Sequence, residues 1–345
     1  MSVPDPVGPV LEVRGLTIAF DTPAGRVRAV DQVDLRLDRG ETLGLVGESG
    51  CGKSATALAI MGMVGPPGRV LGGSVRLRGR ELLGLNEREL RRARGAEISL
   101  VFQEPTSALN PVFTIGSQVA ETLVVHGRSS WTSARREAVD LLAAVRLPDP
   151  QRRARDYPHQ LSGGMRQRAL IAMALACRPS VLIADEPTTA LDVTIQSQIL
   201  DLLLEMRESY GLSLLLITHD LGVVAGTADR AAVMYAGRIV ESGPVARIFD
   251  QPRHPYTRGL LASIPGKAGG RRLQAIDGTV PNLAALPPGC AFAPRCPDRH
   301  DRCLSAPPPQ TVPARDETLR CYLQSTLGDG PIGGQPGAGS SGAPE

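Results

Sequence analysis

Residues 42–54 read TLGLVGESGCGKS: a short apolar run, a glycine-rich turn ending in Lys-Ser, and then small residues compatible with a helix. Residues 47–54 fit the pattern G-x-x-x-x-G-K-[ST], in the strand-then-helix setting that pattern requires. This constrains the fold more than any other stretch, because it demands a buried strand that delivers the turn to a helix N-terminus. Glycines let backbone N–H groups wrap phosphate oxygens, and the helix that follows turns its positive end toward the anion. Lys53 is then placed to reach the β- and γ-phosphates and Ser54 to ligate Mg2+. The nucleotide-binding set is Gly47, Glu48, Ser49, Gly50, Cys51, Gly52, Lys53, Ser54 and Ala55. Cys51 reads as a small spacer facing away from the phosphates, and Cys177 as a buried helix-end residue.

With 345 residues the chain is long enough for about two domains and a sizeable core. Basic residues exceed acidic ones by only 38 − 35 = 3, too little for a strong field toward nucleic acid, so no nucleic-acid partner is expected. The beginning MSVPDPVGPVLEVRG carries neither a basic nor an apolar leader region, and the longest apolar run, ALIAMALAC, is far too short to cross a bilayer. A cytosolic location is expected. In a reducing compartment its six cysteines read as thiols, metal ligands or redox groups before structural disulfides.

LEVRGLTIAF (11–20) and VRAVDQVDLRL (27–37) read as antiparallel strands separated by a turn cluster beginning DTPAG. TLGLV, ISLVF, VLIAD and SLLLIT are short, largely apolar runs, the mark of strands covered on both faces, and predict a mostly parallel central sheet. Residues from about 108 to 178 show helical patterns and no convincing strand, which predicts a helical insertion. The expected organisation is an α/β cassette over 8–250, an irregular extension over 251–327 and a disordered Gly/Pro/Ser-rich tail over 328–345.

VLIADEP places Asp185 and Glu186 at the end of a buried strand. A buried carboxylate is costly unless paired or metal-bound, so Asp185 reads as a Mg2+ ligand and Glu186 as the group that polarises an attacking water. LSGGMRQR (161–168) sets Ser162 and two glycines before an apolar helix, forming a second helix N-terminus able to receive an anion.

With these motifs in this order, residues 11–250 resemble the nucleotide-binding subunit of an ABC transporter. The resemblance implies a P-loop NTPase (RecA-like) core sheet with an antiparallel β subdomain and a helical subdomain. It implies that Phe20 stacks on adenine and that Gln103 joins Ser54 and Asp185 around Mg2+. His219 would contact the γ-phosphate, and Asp192 of TTALD would lie at the dimer interface. Leu161, Ser162, Gly163, Gly164 and Met165 would form the signature that closes the ATP site of a second ATPase subunit in a head-to-tail dimer. Met165 departs from the Gln that many members carry. Two transmembrane permeases and an extracytoplasmic solute-binding protein are the further partners implied, at the cytoplasmic face of the membrane. PTSALNP (105–111) and HPYT followed by GLL (254–261) resemble the branch serving oligopeptide, dipeptide and nickel importers. A soluble, non-transport ABC protein is the rival from another class; such proteins commonly carry two cassettes or a long coiled coil, and this sequence shows neither.

Four cysteines gather late, Cys290, Cys296, Cys303 and Cys321, spaced C-x5-C-x6-C-x17-C. Structural zinc usually takes tighter C-x2-4-C pairs. Four thiolates on a proline-bent loop can instead hold a [4Fe-4S] cluster, which some peptide-importer ATPases resembling this chain carry. Arg295, Arg299 and Arg302 would offset its negative charge. Zinc, free thiols and disulfides remain the alternatives; His300 is the obvious substitute ligand but reads first as a solvated loop residue.

Overall fold

The computed structural model describes residues 8–23, 25–104, 108–189, 191–264, 276–314 and 316–323. The expected tail from Gly328, and residues 105–107 of the PTSALNP stretch, lie outside these.

Two sheets organise the chain. Strands β1 (Leu11–Thr22) and β2 (Gly25–Leu37) pair antiparallel, as their alternation predicts, with Leu11 opposite Leu37 and Thr22 opposite Gly25. Next come β3 (Thr42–Val46), α1 (Lys53–Ile60), β4 (Gly68–Leu77), β5 (Arg80–Glu81), α2 (Glu87–Ala93) and β6 (Ile98–Val101). The small sheet has the order β2-β1-β4-β5. β4 was not foreseen in the sequence: its Gly72-Gly73 pair interrupts the apolar alternation, and a Cβ at Gly73 would stand 2.6 Å from the Leu16 Cα of β1.

Helices α3 (Ile115–Val125), α4 (Trp131–Ala144), α5 (Pro150–Arg153) and α6 (Gly163–Leu175) follow without a strand between them. Of these, α3, α4 and α6 share one apolar core through Leu123, Leu142 and Ile171. The chain then re-enters the main sheet with β7 (Val181–Asp185), crosses by α7 (Val193–Tyr210) and returns as β8 (Ser213–Thr218). Alternation along β7 sends Val181 and Ile183 to one core and Leu182 and Ala184 to the other. Every residue of β3, β7 and β8 is buried, which is why these strands read as unbroken apolar runs.

After α8 (Leu221–Thr227) come β9 (Arg230–Tyr235), β10 (Arg238–Pro244), α9 (Val245–Asp250) and α10 (Pro255–Ala262). The last elements are α11 (Asp301–Ser305) and β11 (Thr318–Leu319). The main sheet runs β11-β10-β9-β3-β8-β7-β6, parallel from β9 to β6 and antiparallel at β10 and β11. Within the described residues the extension therefore adds a last strand to the sheet that carries the glycine-rich loop. It is anchored where it begins by Glu241, fully buried, which accepts from Arg247 Nη1 at 2.5 Å and from the backbone N–H groups of Arg253 and His254 at 3.0 and 2.9 Å.

Candidate active site

The loop after β3 is fixed by close approach. A Cβ at Gly47 would lie 2.2 Å from the Met234 carbonyl oxygen; Gly52 has φ 110° and its Cβ would lie 2.4 Å from the Ala29 carbonyl oxygen. Neither position admits a side chain, so the loop packs against β2 and β9 while its outer face stays open. Lys53, 5% exposed, donates from Nζ to the carbonyls of Gly47 at 2.7 Å and Glu48 at 3.1 Å. Cys51 is fully buried in the core beneath the loop, as its reading as a spacer requires, and burial pushes its thiol up.

The open side of the loop is one wall of a pocket that also takes in Gln103, Glu186 and His219. Glu186 stands just past β7 with φ 45°, a left-handed conformation uncommon for a non-glycine residue. Four groups reach its carboxylate. Thr189 Oγ1 donates at 2.9 Å and Gln103 Nε2 at 3.2 Å, His219 Nδ1 lies at 3.3 Å and Lys53 Nζ at 3.9 Å. The start of α1, the segments after β6 and β8, and the turn that carries Glu186 itself thus meet at the acid that the sequence marks for water activation.

Asp185, one residue earlier, is 7% exposed and its Oδ1 has no hydrogen-bond partner. Burial pushes its carboxyl up, the Ser54 hydroxyl and Lys53 oppose this, and neighbouring Glu186 adds to it. A buried, unpartnered carboxylate oxygen beside a serine hydroxyl is what a hard divalent cation would satisfy, so these donors fit Mg2+. Gln103 gives its amide NH2 to Glu186, which leaves its carbonyl oxygen available to the same ion.

Other expected residues stand apart from this pocket. Phe20, on β1, is half-buried against Val64 and Gly68 and is not part of the pocket wall. Ser162 caps α6, its Oγ accepting from Met165 N at 3.4 Å, and Leu161, Gly163, Gly164 and Met165 lie with it outside the wall. Gly164 is required by packing, since a Cβ there would meet Ile195 Cγ2 at 2.8 Å. Asp192 caps α7 through Ile195 N at 2.9 Å.

The four late cysteines face one narrow pocket, bordered also by His254 and Tyr322. None is in a disulfide. The x17 gap closes because β11 carries the chain back along β10 and sets Cys321 beside the earlier three. Cys290 N donates to the Cys303 carbonyl at 2.8 Å. Burial pushes the thiols of Cys290, Cys296 and Cys321 up, the last to about 11. Among the described residues no three His, Cys, Asp or Glu side chains converge into a group able to hold a metal ion. This geometry supports neither the expected [4Fe-4S] cluster nor the alternative zinc at the four thiols. His300 is exposed and off the pocket wall.

The expected role of Arg295 as a counter-charge for the thiols needs correction, because its guanidinium is committed elsewhere. It makes a two-pronged ion pair with Glu48 of the glycine-rich loop, Nη1 to Oε2 at 2.7 Å and Nη2 to Oε1 at 3.0 Å. Tyr256, from the HPYT stretch, accepts at its hydroxyl from the Glu48 backbone N–H at 3.0 Å. Sequence reasoning missed both contacts with Glu48. HPYT was visible as a marker, but nothing local to it announces a partner 208 residues away.

A glycine-rich loop gripping the start of α1, with an acidic pair ending a strand two places along the same sheet, defines a P-loop nucleoside triphosphatase. Comparison with known proteins agrees and goes further. The ABC transporter family matches residues 30–189, and the oligopeptide/dipeptide transporter C-terminal region matches residues 240–303. The dipeptide transport ATP-binding protein DppD of Bacillus subtilis is 51% identical over 91% of this chain and 95% of its own length. The oligopeptide transport ATP-binding protein OppD of Salmonella typhimurium is 50% identical, over 88% of this chain and 91% of its own. The ATP-binding cassette MJ0796, solved as a dimer in a post-hydrolysis state bound to ADP and Pi, superposes with a TM-score of 0.62 at 29% identity, covering 68% of this chain and 98% of that one. The chain belongs to the ABC transporter ATP-binding family and is an ABC-type ATPase. Among the described residues no helix is long and apolar enough to cross a membrane.

Proposed function

We propose that the chain powers the import of oligopeptides or dipeptides, working as the ATP-hydrolysing subunit of a membrane complex with a second ATPase, two permeases and an extracytoplasmic binding protein, on the cytoplasmic face. Its C-terminal match and its relatives named for dipeptide and oligopeptide transport support the substrate class. The division into a cassette over 8–250, with a helical subdomain near 108–178, and an extension over 251–327 belongs to the same proposal.

The observation that carries the reading is the convergence of Lys53, Gln103, Thr189 and His219 on Glu186. In it, Lys53 and the backbone of residues 47–55 hold the phosphates, and Glu186 orients and deprotonates water while His219 lies along the γ-phosphate. Mg2+ would be held by Ser54, Gln103 and Asp185, and when bound it supplies charge neutralisation at the β- and γ-oxygens. Phe20 stacks on adenine. The α6 N-terminus and the Asp192 turn lie off the chain's own pocket, so they serve the site of a facing subunit; the dimeric, nucleotide-bound relative supports this. Glu186→Gln in the assembled complex should keep ATP binding and lower turnover by about 100-fold or more. Unchanged turnover would remove Glu186 from this role.

The same proposal includes an iron–sulfur cluster at Cys290, Cys296, Cys303 and Cys321. Four free thiols on one pocket support it. Protein purified without oxygen should be brown and contain iron and sulfide; a colourless, iron-free protein would end this part of the reading.

A further inference from the structure

Glu48 lines the nucleotide pocket, and its side chain adds a negative charge close to where an incoming triphosphate brings several more. That charge is answered from the far end of the chain. Both carboxylate oxygens are taken by Arg295, 247 residues away in sequence, and the Arg295 side chain is only 6% exposed. Arg295 is in turn held by its Nε, which donates to the Asp277 carbonyl at 2.9 Å, and by the Tyr235 hydroxyl at 3.4 Å from Nη1. The pairing with Glu48 pushes the guanidinium further toward its charged form. A fork-to-fork pair withdrawn from water is screened little and fixes orientation as well as charge.

Building on the reading of this loop as the ATP site, we propose that Arg295 is a positioning residue for nucleotide binding. By neutralising and orienting Glu48, it lets the glycine-rich loop accept a triphosphate. Two contacts from the extension act on one loop residue: Arg295 on the Glu48 side chain and the Tyr256 hydroxyl on the Glu48 backbone. Arg295 itself lies in the turn Ala293–Arg295 between Cys290 and Cys296, so the geometry of the cysteine-bearing segment sets where the guanidinium sits.

A purely structural pin and a charge-neutralising one make different predictions for the sign of coupled substitutions. In the assembled transporter, Arg295→Met should raise the KM for ATP about tenfold, equivalent to about 1.4 kcal/mol, with kcat within about twofold of the parent. Glu48→Gln changes the loop itself, so its own KM is the reference for the cycle. The double variant Glu48→Gln/Arg295→Met should have a KM within about threefold of that of Glu48→Gln alone, because the effect of Arg295 vanishes with the charge it answers. Arg295→Lys keeps the charge without the fork, is the variant least at risk of misfolding, and should fall between parent and Arg295→Met. An unchanged KM in Arg295→Met, or a double variant raised above Glu48→Gln by as much as Arg295→Met is raised above the parent, would overturn the proposal while leaving the ATP site intact. Retention of ATP binding in Lys53→Ala would instead overturn the assignment of the site itself.

Discussion

His254 never meets water: it is 1% exposed, and its Nδ1 caps α10 by accepting from Tyr256 N at 3.0 Å. Burial lowers its pKa from 6.5 to about 4, with Glu241 opposing and Arg258 adding to the shift. An acceptor role requires the neutral ring, so burial and capping agree. Because the folded pKa lies below the unfolded one, the unfolded chain binds more protons between these values. Stability is therefore full above about pH 6.5 and is lost as pH falls toward about 4, by about 3 kcal/mol. His254→Asn keeps a capping oxygen without a titrating ring. Its stability should fall less between about pH 7 and pH 4 than the parent's, by that amount, in urea titrations; identical pH slopes would remove His254 as the cause. At this scale the sequence was readable where chemistry is contiguous. Lys53, Ser54, Asp185 and Glu186 each stand inside a motif whose spacing is local. Arg295 and Glu48 meet only in the folded chain, and an arginine between cysteines carries no mark of the loop it will touch.

The turn Ala293–Arg295 owes its position to the aromatic residue just before it. Phe292 packs edge-on against Tyr235 of β9 with centroids 5.2 Å apart, and lies 5.4 Å from Tyr256 and 5.8 Å from His254. One side chain thus joins the inner sheet, the start of α10 and the cysteine-bearing segment. Phe292→Ala should cost about 3–5 kcal/mol in urea unfolding, since it removes a buried ring whose surroundings come from three elements and cannot collapse together. A cost below about 1 kcal/mol would show that the extension docks by other contacts. Among elements, the inner strands β3, β7 and β8 were legible because burial on both faces leaves largely apolar runs; β6, at the sheet edge, was legible from the short run ISLVF, although it stops at Val101 and leaves Phe102 exposed. β4 was hidden by its glycines. β11, two residues long, was below any periodic signal, yet it alone explains why Cys321 can follow Cys303 at such a distance.

Over the whole molecule, the cassette was readable because its motifs occur in one order along the chain, and each rests on a strand end or a helix start. The signature segment was legible as a helix N-terminus, but its place off the chain's own pocket belongs to tertiary arrangement, as does the distance of Phe20 from that pocket's wall. In sequence the extension is irregular, marked by its HPYT stretch and its cysteines. Its docking is not legible there, because proline-bent segments have no period from which a partner surface could be inferred.

The return of the chain through β11 makes the outermost rung of the main sheet a latch closed by residues more than 200 positions beyond the glycine-rich loop. A motor usually meets its load at one end and its fuel at the other; here the chain's last described strand is stitched to the same fabric that holds the fuel. β10 and β9 connect that far margin to the floor of the phosphate cradle in one continuous sheet, so the extension is built into the engine block and is not a trailer behind it.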